Sequence, residues 1–316
     1  MKQFYIYATF ILLLSATLLF NSCNNDSNKT SNEPLSAKIN RGDYLVNTVC
    51  NCMHCHGDRD FTKFSGPVIP GTEGKGGQLK TKGIYATNIT PTVLGNWTDD
   101  EITCAITTGI TKTGDTLFPL MPYGGYMYLS KDDAASIVAY LRTLKSIPDS
   151  VPKRNLTYLP PGMLASLYRN FYINNIDKTK NLARPDSDSA KGKYLVTLAG
   201  CNDCHTPFNN TLLVFYNDSM LAGGALYNVP ESDFKVRSSN LTPDTATGIG
   251  SWTEEIFLSK FKNYREQKAY DYNPGKYNTD MPWTILAKMT DDDIKSIYSY
   301  LRTIKPVNNK IEKWPQ

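Results

Sequence analysis

The chain has 316 residues, enough for one large core or two domains of common size, and its apolar and charged fractions are those of an ordinary globular protein. Its formal charge of +4, with only 3 histidines to modify it, is too small for the basic footprint of a nucleic-acid binder.

In chain order, Met1-Lys2-Gln3 precedes an apolar run from Phe4 to Phe20 that ends in Asn21-Ser22-Cys23. Charge, apolar stretch and small residue come in the order of a secretion signal. The cysteine directly after the small residue gives a signal peptide of lipoprotein type over 1–22, with Cys23 as the lipid anchor. An uncleaved apolar anchor is the alternative, and both readings tether the mature chain to a membrane on the periplasmic or cell-surface side of a bacterial envelope. Residues 23–38 are polar and read as a flexible tether. A first unit follows over 39–147, then a linker over 148–188 and a second unit over 189–316. The linker holds Pro148, Pro152 and Pro160-Pro161, with an apolar, aromatic stretch from Met163 to Tyr172 that suits a short helix.

The two units repeat one another. Arg41-Gly42-Asp43-Tyr44-Leu45-Val46 returns as Lys191-Gly192-Lys193-Tyr194-Leu195-Val196, and Cys52-Met53-His54-Cys55-His56 as Cys201-Asn202-Asp203-Cys204-His205. Asn88-Ile89-Thr90-Pro91, Trp97-Thr98, Met121-Pro122 and Tyr140-Leu141-Arg142-Thr143 return in the same order as Asn240-Leu241-Thr242-Pro243, Trp252-Thr253, Met281-Pro282 and Tyr300-Leu301-Arg302-Thr303. Six landmarks in one order define an internal duplication. Each unit is expected to be all-α: a first helix near 42–52 and 191–201, a second starting at Thr98 and Thr253, and a last one starting near Ser130 and Thr290. The starts carry a hydroxyl cap followed by acidic residues, which suit the positive end of a helix. Ile137, Tyr140, Leu141 and Leu144, like Ile294, Ile297, Tyr300, Leu301 and Ile304, recur at helical spacing and belong to the core.

Cys-x-x-Cys-His is the signature of covalent haem attachment, in which two thiols join the macrocycle and the adjacent histidine ligates iron. Cys52 and Cys55 with His56, and Cys201 and Cys204 with His205, therefore point to two covalently bound haem c groups. Zinc would need further thiolate or imidazole ligands at each site, and a redox dithiol would not need the histidine twice. A low-spin carrier takes a sixth ligand, and with every histidine at the motifs a methionine is the natural source. Met121 and Met281 recur at matching places, each before Pro and an aromatic residue, and are the expected distal ligands. Met127 and Met289 stand in reserve. His54, between two thioethers, is expected to be a non-ligating histidine. Cys50 and Cys104 have no counterpart in the second unit, where Ala199 takes the place of Cys50; they suggest a disulfide or two buried thiols. Trp97, Trp252, Asn88 and Asn240 suit either haem propionates or, more simply, core and turns.

Between each CxxCH and its Met-Pro the chain carries NITP or NLTPDTATGIGSWTEE. With these the sequence from Gly42 to Lys305 resembles the multihaem cytochrome c subunits that accompany membrane alcohol, aldehyde and gluconate dehydrogenases. The resemblance implies two tandem cytochrome c domains joined by a linker with a short helix, each with one haem held by His and Met: His56 with Met121, His205 with Met281. It also implies that this chain is a carrier rather than an enzyme, with redox proteins as partners: a dehydrogenase, an oxidase or another cytochrome. Those subunits usually have three haem domains where this chain has two. A dihaem peroxidase would need one open iron position, against which the matched methionines speak. An oxidoreductase of small sulfur or nitrogen compounds would need an unusual ligand, for which Cys104 is the spare thiol.

Overall fold

The computed structural model describes residues 33–79, 83–148, 150–155, 184–209, 214–229 and 231–315. The expected signal peptide, the lipid anchor Cys23 and the helix at Met163–Tyr172 lie outside them.

In the first half, α1 (Leu35–Tyr44) runs without a break into a π-helical turn, Leu45–Val49. It begins directly after Pro34 and so takes in residues whose composition suggested tether. Then come α2 (Met53–His56), the ribbon β1 (Gly77–Gln78) with β2 (Tyr85–Ala86), α3 (Pro91–Leu94), α4 (Asp99–Thr108), α5 (Tyr123–Tyr126) and α6 (Lys131–Leu141). The second half repeats the plan with α7 (Asp188–Leu198), α8 (Cys201–His205), α9 (Glu254–Lys262), α10 (Trp283–Leu286) and α11 (Asp291–Leu301). Its ribbons are β3 (Phe208–Asn209) with β4 (Val214–Phe215) and β5 (Leu226–Asn228) with β6 (Lys235–Arg237). All three ribbons are antiparallel. The described fold is thus helix-rich with short two-stranded additions, rather than purely helical.

The expected helix starts are present with their caps. Thr98 accepts from Glu101 N and Glu101 reaches back to the Thr98 backbone, a complete capping box. Thr253, Ser130 and Thr290 each accept from a backbone N–H of their own first turn. The frame of each half is one crossing of its first and last helix, α1 on α6 and α7 on α11. Both crossings hinge on a glycine: a Cβ on Gly42 would lie 1.9 Å from Ser136 O, and one on Gly192 1.8 Å from Ser296 O. No heavy atom fits there, so the backbones touch directly. Leu45, Val46, Ile137, Leu141, Leu195, Val196, Ile294 and Leu301 are buried in one apolar cluster that runs through both halves.

The halves exchange hydrogen bonds reciprocally. Tyr44 Oη donates to Asp293 Oδ2 at 2.5 Å and accepts from Thr290 N; Tyr194 Oη donates to Asp133 Oδ2 at 2.8 Å and accepts from Ser130 N. In each case a first-helix tyrosine of one half closes the N-terminus of the last helix of the other. Contacts of α5 with α7, and of α10 with the Leu45–Val49 turn, repeat the reciprocity. No helix among the described residues is long and apolar enough to cross a membrane.

Candidate functional site

Each Cys-x-x-Cys-His motif begins where the first helix is forced to stop. Asn51 (φ +52°) and Gly200 (φ +68°) take the left-handed conformation just before Cys52 and Cys201. Asparagine and glycine are the residues that tolerate it, so the chain turns off its helix there and starts a new one. Along that single turn Cys52 and Cys55, or Cys201 and Cys204, stand one helical turn apart on the same side. All four are free thiols. Burial, and then the companion thiol, pushes Cys52 and Cys201 up to about 12, so both are protonated at neutral pH.

The histidines are fixed in the same way in both halves. His56 and His205 are each 8 % exposed, and Nδ1 lies 2.7 Å from Thr87 O and 2.8 Å from Ser239 O respectively. A carbonyl only accepts, so Nδ1 carries the hydrogen and Nε2 keeps its lone pair. Burial lowers both imidazole pKa values, which leaves the rings neutral. A neutral imidazole whose far nitrogen is tied to a carbonyl is the form in which histidine ligates a metal. Behind each ring a glycine closes the turn, with Gly76 N donating to His56 O and Gly223 N to His205 O. A Cβ on Gly76 would lie 2.4 Å from Ala86 O, and one on Gly223 2.5 Å from Ser239 C.

The accepting carbonyls stand directly before the repeated Asn-x-Thr-Pro, and that motif is their latch. Asn88 Oδ1 accepts from Thr90 N and Oγ1 at 2.8 and 2.7 Å while its Nδ2 donates to Ile147 O. Asn240 makes the same bonds with Thr242 and Val307 O. Of the two readings offered for these asparagines, turn-holding is the one the structure gives. Trp97 and Trp252 are half-buried against the core, their carbonyls accepting from Arg142 and Tyr298.

Met121 and Met281, like Cys52 and Cys201, are half-buried against the apolar cluster. Each stands before a proline that starts a short helix, and the following aromatic N–H, of Tyr123 or Trp283, donates to the methionine carbonyl at 2.8 Å. Met289 is 1 % exposed within the core, a packing side chain, whereas Met127 caps the end of α5. His54 Nε2 is 3.0 Å from Arg59 Nη1 and faces the second half. Cys50 is a free thiol, 6 % exposed in the core, so it makes no disulfide with Cys104; it packs as a small apolar side chain whose pKa burial raises. The pairing suggested by composition is therefore corrected. No cluster of three or more His, Cys, Asp and Glu that could hold a metal ion occurs among the described residues.

The residues fit a covalently attached haem in each half: two thiols on one turn, then an imidazole with Nε2 available. Sequence reasoning missed Thr87, Ser239, Gly76 and Gly223. The repeated NxTP marked the place, but that the carbonyl before it meets a ring distant in sequence is a tertiary fact.

Comparison with known proteins brings in the cytochromes c. Residues 189–305 match the cytochrome c family. The chain is 29 % identical over 277 residues to the gluconate 2-dehydrogenase cytochrome c subunit of Pantoea cypripedii, covering 85 % of this chain and 60 % of that one. It is 30 % identical to the fructose dehydrogenase cytochrome subunit of Gluconobacter japonicus, covering 92 % of this chain and 58 % of that one. A "diheme cytochrome c-type" protein of Cereibacter sphaeroides is 23 % identical over 86 % of this chain and 88 % of its own length. The chain thus spans about three fifths of the dehydrogenase subunits it matches.

Proposed function

From a chain that carries a cytochrome c domain at 189–305 and resembles the cytochrome c subunits of gluconate, fructose and alcohol dehydrogenases, we propose a dihaem c-type cytochrome. It has two tandem cytochrome c domains, at 39–147 and 189–316, and carries electrons between a dehydrogenase and a respiratory chain. The chain itself transforms no substrate. Anchoring through a lipid on Cys23, on the periplasmic or cell-surface side, belongs to the same proposal and rests on the sequence around that cysteine.

The carrying observation is the duplicated histidine: in both halves a buried, neutral imidazole is held through Nδ1 by a latched backbone carbonyl. Haem bound there supplies a one-electron iron couple. The chain's own part is to hold it and set its environment. Cys52 with Cys55, and Cys201 with Cys204, attach it; His56 and His205 present Nε2; Met121 and Met281 supply a thioether, which favours a higher potential than a second imidazole. The carbonyls of Thr87 and Ser239 draw on the Nδ1 hydrogen and make the ring a stronger donor.

The test is the near-infrared and electron-paramagnetic-resonance spectrum of the oxidised holoprotein, with Met121 and Met281 replaced in turn. Two low-spin centres, each substitution removing about half of the weak sulfur-to-iron band, are expected. A high-spin centre in the unaltered protein would overturn the carrier reading and favour peroxide or small-anion chemistry.

A further inference from the structure

The loop after the first attachment turn reaches across to the second half, and Arg59 organises it. Its side chain is 5 % exposed. Nε donates to Gly66 O at 2.7 Å and Nη2 to Ser65 O at 2.6 Å, while Nη1 lies 3.0 Å from both His54 Nε2 and Asp280 Oδ1. The guanidinium also lies over the Phe61 ring, 4.5 Å from its centroid.

The loop so folded grips the segment that carries Met281. Ser65 is fully buried with φ +61°, an uncommon conformation for a residue with a Cβ, and uses both of its donors across the seam. Ser65 N donates to Asn278 Oδ1 at 2.9 Å, and Ser65 Oγ donates to Met281 O at 2.6 Å. Asn278 in return donates from Nδ2 to Phe61 O and Lys63 O. The carboxylate before Met281, the carbonyl of Met281 and the asparagine upstream of it are therefore all held by the first half.

Among the described residues nothing equivalent runs the other way. The residue before Met121 is Leu120, 47 % exposed, and the place of Arg59 after the second motif is taken by Phe208 in β3. Met121 N donates to Phe118 O of its own half. The duplication is symmetric in its tyrosines and asymmetric here.

We propose that Arg59 is a positioning residue for the second centre, setting from across the interface the loop that presents Met281. The inference rests on the reading of Met281 as a haem ligand. Arginine suits the task because its planar fork meets three oxygens at once, where lysine offers a single nitrogen. Removing it would leave Asp280 without this buried cation and free the Ser65 turn.

The experiment uses the full-length dihaem protein and records the near-infrared sulfur-to-iron band and the potentials of both haems. Arg59→Met should reduce the band to about half, with the loss on the centre that Met281→Ala also abolishes, and should lower that centre's potential. Arg59→Lys should restore only part of the band. Ser65→Ala removes the bond to Met281 O without touching the ion pair, and should produce a smaller loss at the same centre even if Arg59→Met fails to hold haem. The inference is overturned if Met281→Ala removes its share of the band while Arg59→Met, or Ser65→Ala where that variant alone folds, leaves both centres unchanged, or if the loss falls on the Met121 centre. If Met281→Ala leaves the band intact, the ligand reading falls, and this inference with it.

Discussion

A single atom decides the architecture at Gly42 and Gly192, where the crossing helices leave no space for a methyl group. Gly42→Ala or Gly192→Ala should cost about 3 kcal/mol or more by overpacking against backbone that has nowhere to move, read as a lowered midpoint in thermal or denaturant unfolding. Both glycines stood out in the repeated Gly-x-Tyr-Leu-Val, but as landmarks; their use at a crossing depends on what α6 and α11 bring against them. The two Cys-x-x-Cys-His motifs are legible in the sequence because their residues are consecutive and their spacing repeats. The partners of His56 and His205 were not, since a backbone carbonyl leaves no mark in composition. Cys50 shows the opposite limit: an unmatched cysteine resembles half of a disulfide until its place in the core is seen.

Helix ends were the most readable elements, because a cap is written in consecutive residues. Thr98 and Thr253 differ in one respect that predicts a difference in stability. Thr98 has Glu101 to close the box, while the matching place after Thr253 is Ile256. Thr98→Ala should therefore cost about 1 kcal/mol, and Thr253→Ala less, in matched unfolding experiments. The start of α1 at Leu35 escaped the sequence reading, since Pro34-Leu35-Ser36-Ala37-Lys38 looks as polar as the tether before it. The π-helical turn at Leu45–Val49 escaped it too, because its widened winding is set by packing against α6 and α10 rather than by its apolar residues. The short ribbons have two or three residues per strand, below the length at which alternation can be recognised.

At the scale of the whole molecule, the two halves form a single apolar core and share their helix ends. Tyr44→Phe and Tyr194→Phe should each cost roughly 1–3 kcal/mol, since each strips one partner from a buried carboxylate and one from a backbone N–H. Asp133 makes this seam sensitive to acid. Burial raises its pKa, but the paired Arg41 bonds, the Arg41 charge, the Tyr194 hydroxyl and Arg184 outweigh that and hold it below the usual carboxylate range. A carboxyl lowered on folding contributes stability above its unfolded value of about 3.9 and loses it as pH falls through the folded value. Urea midpoints should therefore drop on acidification in that window, and Asp133→Asn should flatten the drop while lowering the plateau.

The reciprocal tyrosines make each half's contact surface self-complementary, donor and acceptor together, which is the property of an isologous dimer interface. Here both copies are on one polypeptide, so their local concentration is set by the connecting chain and not by abundance. An assembly of this kind does not come apart on dilution: its unfolding midpoint should be the same at nanomolar and micromolar protein, and the spacing of its two Cys-x-x-Cys-His turns is preserved however scarce the protein becomes.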